Sequence, residues 1–125
     1  MSYEVGSAVE VRAFHVMPGA PEPEGSLHAH DYRIDVVVER GELDEAGMVC
    51  DLDILDAALA AVADEVRDAD LDRIRPPEAE AVTVEVFARW AHGQLAPAVR
   101  SGGGEMLSVR VWESPVAFGG YKAPA

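Results

Sequence analysis

The stretch "SLHAHDYRIDVVVE" (residues 26–39) is the starting point for interpreting the rest of the chain. It is rich in β-branched and aromatic residues, which predicts a strand over residues 26–40. Two of the four histidines, His28 and His30, stand at alternate positions near its beginning. Side chains at positions i and i+2 of a strand project from the same face, so these two residues are expected about 7 Å apart along one face, and their imidazoles can converge on one ion.

A third histidine precedes this strand. His15 lies near the end of "SAVEVRAFHVM" (7–17), whose alternation predicts a first strand, and a hairpin could bring it opposite the pair. Three imidazoles with an open fourth position are typical of a catalytic zinc. The spacing alone favours a simpler alternative, in which exposed or hydrogen-bonded histidines lie at a strand end. His92, among polar neighbours on a predicted helix, is expected at the surface.

Composition restricts the class of protein. The 125 residues predict one domain over residues 1–125, large enough to bury a core. The start has no secretory signal, no segment is apolar enough to span a membrane, and the single cysteine, Cys50, cannot form an internal disulfide. We therefore expect a cytoplasmic protein. The formal net charge of −13 makes nucleic acid and membranes poor candidate partners.

The remaining segments predict an α+β fold. Residues 18–25, rich in proline and glycine, form a loop, and residues 41–48 form a turn. An amphipathic helix is predicted over 49–68, with Asp51 as N-cap, and a second helix over 82–100, with Thr83 as N-cap. A loop over 69–81 joins the helices, and a turn over 101–105 leads to a strand over 106–114. The tail, 115–125, is expected to be irregular, although one more short strand after residue 114 stays open.

The helix periodicities also predict which residues face the core. These are Leu52, Leu55, Leu59, Val62 and Val66 in the first helix, and Val86, Phe87, Trp90 and Leu95 in the second. The simplest packing is an antiparallel sheet with two helices on one face. The other face of that sheet then needs a partner, so a homo-oligomer is expected.

Five motifs occur in an order that resembles a known family. They are "FHV" (14–16), "HAHDY" (28–32), "GMVCDLDIL" (47–55), "VTVEVFARW" (82–90) and "VRVWES" (109–114). Over residues 9 to about 114 the sequence is similar to the 6-pyruvoyltetrahydropterin synthase and 6-carboxytetrahydropterin synthase family. The resemblance implies the tunnelling fold, ββααββ-like, with subunits joined in an oligomeric barrel, as a trimer or hexamer.

The resemblance also implies roles for individual residues. His15, His28 and His30 match the family's three ligands of Zn²⁺. Glu113 matches the late-strand glutamate that anchors the pterin ring, a task that suits a carboxylate because it accepts two parallel hydrogen bonds. Thr83 and Glu85 match a motif of the second helix, near the same substrate pocket.

Two positions depart from the family pattern. The usual catalytic cysteine, four residues before the first histidine of the His-x-His motif, is replaced by Glu24. The usual Asp-His catalytic pair becomes Arg67 and Asp68, so the catalytic histidine is absent. A carboxylate acts as a general base if its surroundings raise its pKa. Glu24 is therefore the first candidate for proton transfer and Asp68 the weaker one. Family members with glutamate at this position are associated with cleaving the pterin side chain to leave a hydroxymethyl group.

Taken with these departures, the resemblance implies a zinc-dependent carbon–carbon or carbon–oxygen lyase, of aldolase type. Such an enzyme would act on the side chain of a dihydropterin, either 7,8-dihydroneopterin or its triphosphate, or on a related small molecule. Only three strand arginines, Arg12, Arg33 and Arg110, are candidates to reach a triphosphate, so a substrate without it suits the charge balance better. Two alternatives stay open: a member repurposed for a non-pterin substrate in secondary metabolism, and a non-catalytic zinc-binding subunit.

Overall fold

A computed structural model describes the whole chain, residues 1–125. The elements in chain order are β1 (Tyr3–His15), β2 (His28–Arg40), α1 (Leu52–Val66), a 3₁₀ turn (Leu71–Ile74), α2 (Val84–Ser101), β3 (Met106–Ser114) and β4 (Ala117–Pro124). The predicted α+β fold, an antiparallel sheet with two helices, is confirmed. No helix combines the length and apolar character needed to cross a membrane.

The four strands form one antiparallel sheet in the order β1-β2-β3-β4. Because side chains alternate along a strand, one face of the sheet supplies the core. Both helices cover this face, and the residues that fill the space between sheet and helices include Ile34, Val36, Leu59, Phe87, Leu95, Leu107 and Val109. The opposite face carries polar and aromatic side chains and no helix.

Both predicted helix caps are present. The Asp51 carboxylate accepts a hydrogen bond from the backbone N–H of Asp53, and the Thr83 hydroxyl accepts one from that of Val86. These bonds satisfy N–H groups that have no partner within the first helical turn. The prediction that Leu52 faces the core was wrong, since its side chain is 43% exposed. Leu52 is the first residue of α1, and the buried stripe of the helix begins one turn later, at Leu55.

The tail is not irregular: residues 117–124 form the edge strand β4, paired with β3, so the alternative of one more short strand is the correct one. Two adjacent glycines and a proline lowered its apparent strand propensity. The structure shows why a glycine is needed, because a Cβ on Gly119 would lie 2.5 Å from Val84 Cγ2. Glycine therefore lets α2 approach the strand closely.

The presence of β4 also explains why the prediction of an exposed His92 was wrong. This residue is 7% exposed rather than on the surface. It lies between α2 and β4, where its Nε2 is 3.2 Å from the carbonyl oxygen of Ala123 and its ring centroid is 5.1 Å from that of Tyr121. His92 thus packs α2 against β4, away from the other three histidines.

Candidate metal centre and substrate cleft

The hairpin of β1 and β2 brings three histidines together. β1 ends at His15 and β2 begins at His28, and the antiparallel register places these two residues opposite each other. His30 follows on the same face of β2. The ring centroid of His15 lies 4.5 Å from that of His28 and 5.1 Å from that of His30. One possible ligand atom from each residue lies within 4.8 Å of the other two.

Backbone carbonyls orient two of the three rings. Nδ1 of His15 is 3.1 Å from the carbonyl oxygen of Val82, and Nδ1 of His28 is 2.8 Å from that of Ser26. A carbonyl oxygen only accepts hydrogen bonds, so each Nδ1 carries the hydrogen and each Nε2 presents a lone pair when the ring is neutral. Nε2 of His28 lies 3.1 Å from Nε2 of His30, and Nε2 of His15 is buried without any hydrogen-bond partner.

The electrostatics of the cluster favour uncharged imidazole at His15. The side chain is 4% exposed, and burial lowers its pKa, with the neighbouring His28 and His30 acting in the same direction. The hydrogen bond to Val82 and the Glu113 carboxylate oppose this effect without reversing it. Neutral imidazole is the form that binds a metal ion.

These residues fit a transition-metal ion. Three nitrogens bound tetrahedrally at about 2.0–2.1 Å stand roughly 3.3 Å apart, close to the 3.1 Å between His28 Nε2 and His30 Nε2. The Nδ1–carbonyl contacts at His15 and His28 are the usual outer contacts of metal-binding histidines. A bound ion would also explain why Nε2 of His15 is buried with no partner. All three donors are imidazole nitrogens, which suit zinc, copper, iron and nickel.

Glu113 lies beside this cluster, at the edge of an open cleft. Pairing between β2 and β3 begins at Arg33 and Trp112, and β3 turns away at Ser114. A notch therefore remains beside the first residues of β2. The cleft that fills it has a volume of about 830 Å³ and is lined by both His30 and Glu113. The structure thus brings the predicted metal ligands and the predicted substrate anchor to one place.

Thr83 and Glu85 lie at the start of α2. Thr83 follows Val82, whose carbonyl contacts the His15 ring, so the helix begins next to the histidine cluster. The Thr83 hydroxyl is used as the helix cap. The Glu85 side chain is exposed and lies against Gly119 of β4, and it lines no part of the cleft.

The two candidates for proton transfer, Glu24 and Asp68, are both exposed. The Glu24 carbonyl accepts a hydrogen bond from the Met17 backbone N–H at 2.8 Å, which closes the loop between β1 and β2. Asp68 has a positive φ of 54°, and its N–H donates to the Arg12 carbonyl at 2.8 Å. Neither carboxylate has a hydrogen bond to the three histidines.

Tyr32 is a residue of this site that the sequence analysis missed. It is 1% exposed, its ring centroid is 5.5 Å from that of His30, and its hydroxyl is buried with no partner. Burial raises the pKa of Tyr32, and the negative charge of Glu113 adds to the effect. The sequence did contain a signal, because Tyr32 continues the alternation of His28 and His30 on one face of β2.

A small acidic groove borders the other side of His15. It has a volume of about 130 Å³, and its walls include Asp70, Asp72 and Glu80. These acids come from the segment between the two helices, and only the folding of that segment brings them beside β1. Nothing in their sequence spacing indicated this position.

Comparison with known proteins adds to the geometry. A family model described as 6-pyruvoyl tetrahydropterin synthase matches residues 5–124. No curated protein matches the chain. A solved synthase of this name from Plasmodium falciparum superposes with a TM-score of 0.77 at 17% identity, covering 99% of each chain. One from Caenorhabditis elegans gives 0.74 at 22% identity, covering 98% of this chain and 96% of that one.

A third similar structure comes from Plasmodium vivax. It is a 6-pyruvoyltetrahydropterin synthase in which a glutamate, described as a catalytic residue, is replaced by cysteine. It superposes with a TM-score of 0.76 at 14% identity, covering 100% of this chain and 99% of that chain. At these identities, the three structures establish a shared fold.

Proposed function

Because the chain belongs to the 6-pyruvoyl tetrahydropterin synthase family, we propose that it is a zinc-dependent lyase of aldolase type that cleaves the side chain of a dihydropterin. The observation that carries this proposal is the convergence of the His15, His28 and His30 side chains beside a cleft that contains Glu113. Zinc is the proposed ion because three histidines with an open fourth position are typical of its catalytic sites. When bound, it supplies Lewis acidity that polarises a substrate oxygen.

Glu113 is the proposed anchor for the pterin ring. Its carboxylate is half-buried at the cleft wall and has no hydrogen-bond or salt-bridge partner within the chain. It is therefore free to accept two parallel hydrogen bonds from the N–H groups of a guanidine-like ring edge. Thr83 and Glu85, at the start of α2, are proposed to border the substrate site from outside the cleft lined by His30 and Glu113.

Glu24 is the proposed general base. Its carboxylate would take the proton from the hydroxyl of the second side-chain carbon, and the bond between the first and second carbons would break. The second carbon leaves as an aldehyde, and the electron pair stays on the first carbon, where the conjugated ring stabilises it. Return of the proton to that carbon leaves a hydroxymethyl group. A glutamate is also the residue called catalytic in the Plasmodium vivax protein, which supports this assignment. Asp68 is the second candidate for proton transfer.

A homo-oligomer, trimeric or hexameric, is part of the proposal. One face of the sheet carries no helix, and β1 and β4 each have an outer edge unpaired within the chain. Phe118 is 47% exposed on this uncovered face. Light scattering at micromolar concentration should give the mass of a multimer, and a stable monomer would contradict this part of the proposal.

The experiment that tests the function uses the zinc-loaded protein. It is incubated with 7,8-dihydroneopterin and with its triphosphate, and the products are identified by mass spectrometry. We expect a hydroxymethyl-dihydropterin and an aldehyde fragment. Glu24→Gln should keep zinc and fold but lower turnover on the order of 10²-fold. The matched control is Glu45→Gln, which makes the same change at an exposed residue of the β2–α1 loop and should keep full activity.

The possible outcomes distinguish the alternatives. Turnover by Glu24→Gln at the rate of the unmodified protein would remove Glu24 from the mechanism and leave Asp68 to be tested in the same way. Zinc binding without conversion of either pterin would contradict the lyase proposal and favour a non-catalytic zinc-binding subunit or a different substrate.

A further inference from the structure

We propose that the cleft beside His30 and Glu113 selects an unphosphorylated dihydropterin and rejects the triphosphate ester. This inference rests on the proposed function and goes beyond it, because it names which form of the substrate the site accepts. It follows from the charges on the cleft wall and from the partners those charges already have.

The cleft wall has an excess of negative charge. It includes four carboxylates, Glu10, Asp31, Asp35 and Glu113, and a single guanidinium, that of Arg33. The guanidinium already has a partner, since Arg33 Nε lies 2.8 Å from Asp35 Oδ1. A triphosphate carries about three to four negative charges at neutral pH, so a wall with four carboxylates and one already paired guanidinium would repel it.

The other cations of the uncovered face lie outside the cleft and have contacts of their own. The Arg12 guanidinium stacks over the Phe14 ring at 5.1 Å, and Arg110 stacks over Phe118 at 4.8 Å. Lys122 is paired with Glu39, at 3.1 Å. The chain as a whole has the same excess of negative charge, with 23 acidic against 10 basic residues.

The same wall suits an uncharged ring that is rich in N–H donors. Both carboxylate oxygens of Asp35 are used, one by Arg33 and the other by the indole N–H of Trp112 at 2.7 Å. Glu10, Asp31 and Glu113 have no side-chain partner in the chain. Their carboxylates can therefore accept hydrogen bonds from a ligand, and a heterocycle with amino and ring N–H groups supplies the donors. Phosphate oxygens supply none.

The test is a calorimetric titration of the full-length protein, in its native assembly, with 7,8-dihydroneopterin and with its triphosphate. It is done on both the metal-free and the zinc-loaded protein, because phosphates bind metal ions directly. On the metal-free protein we expect the unphosphorylated compound to bind at least about tenfold more tightly at low salt. Since salt screens charge repulsion, the ratio of affinities should fall as ionic strength rises.

A pair of matched double variants tests the cause. Glu10→Gln with Asp31→Asn removes two charges from the cleft wall and should reduce the preference at least about threefold, by improving triphosphate binding. Glu45→Gln with Glu65→Gln removes two charges from exposed positions outside the cleft and should leave the ratio unchanged.

The possible outcomes distinguish a failure of this inference from a failure of the proposed function on which it rests. Equal or tighter binding of the triphosphate would overturn the inference while leaving a pterin-binding site intact. Binding of neither compound would overturn both. If both double variants changed the preference equally, the effect would come from the overall charge of the protein. That result would overturn the role assigned to the cleft wall.

Discussion

Nε2 of His28 and Nε2 of His30 lie 3.1 Å apart, while Nδ1 of His28 is held by the Ser26 carbonyl. Because a carbonyl only accepts, Nδ1 of His28 carries the hydrogen, and its Nε2 directs a lone pair at His30. The two Nε2 atoms can therefore share a hydrogen bond or a metal ion. The proximity of these two nitrogens therefore predicts that the amount of bound metal depends on both residues.

The first prediction concerns that metal content. Protein purified without chelator should contain about one metal ion per chain by elemental mass spectrometry, and the double variant His28→Ala with His30→Ala should contain almost none, because two of the three donors are lost. His92→Gln is the matched control, since it removes the one histidine outside the cluster and should keep the ion. Full metal retention by the double variant would rule out the site.

The second prediction concerns stability. An ion that binds only the folded chain raises the free energy of unfolding, by about 2.7 kcal/mol at 100 times its dissociation constant. Zinc added to chelator-treated protein should therefore raise the midpoint of urea or thermal unfolding. The double histidine variant should show no such shift, and a shift of equal size in that variant would mean that zinc binds elsewhere.

The third prediction compares two glycines. Gly119→Ala should lower the free energy of unfolding by about 1–3 kcal/mol, because the added Cβ would lie 2.5 Å from Val84 Cγ2 and 3.1 Å from Glu85 Cγ. Gly93→Ala should raise it by up to about 1 kcal/mol, since alanine favours a helix interior and no atom lies within 4 Å of the new Cβ. Chemical denaturation measures both changes. Equal effects would contradict the close packing of α2 on β4.

Gly119 also shows how far the sequence could predict the fold. The alternation of apolar residues and their helical periodicity correctly predicted β1 to β3 and both helices, because local preference and burial agree in those segments. In β4, local preference and burial disagree. Glycine has a low strand propensity, but this edge strand is stabilised by pairing with β3 and by the approach of α2, neither of which local sequence reveals. His92 was misplaced for the same reason.

The site was predictable to a similar extent. The spacing of His28 and His30 correctly placed both on one face of β2, because strand geometry determines which side chains share a face. The hairpin that could bring His15 opposite them is present in the structure. The cleft was not predictable, since it depends on where the pairing of β2 with β3 ends, at Arg33 and Trp112, which leaves the first residues of β2 without a partner in β3. The acidic groove beside His15 likewise depends on the path of the segment between the helices.

The last prediction concerns Tyr32. Its hydroxyl and Nε2 of His15 are the two buried side-chain polar atoms of the chain that have no hydrogen-bond partner. A buried polar group without a partner costs about 1–3 kcal/mol of stability, and phenylalanine removes it with almost no change in volume. Tyr32→Phe should therefore leave the free energy of unfolding of the metal-free protein unchanged, or raise it by up to about 1 kcal/mol.

Urea denaturation of the metal-free protein measures this difference. Tyr121→Phe is the matched control, because it removes a hydroxyl from a side chain that is 37% exposed and should change stability very little. A loss of more than about 1 kcal/mol in Tyr32→Phe would contradict the prediction, since it would mean that the hydroxyl is hydrogen-bonded in the folded protein, for example to an internal water. A gain would indicate that Tyr32 is retained at a cost to stability, as expected of a polar group kept for the site beside His30 and Glu113.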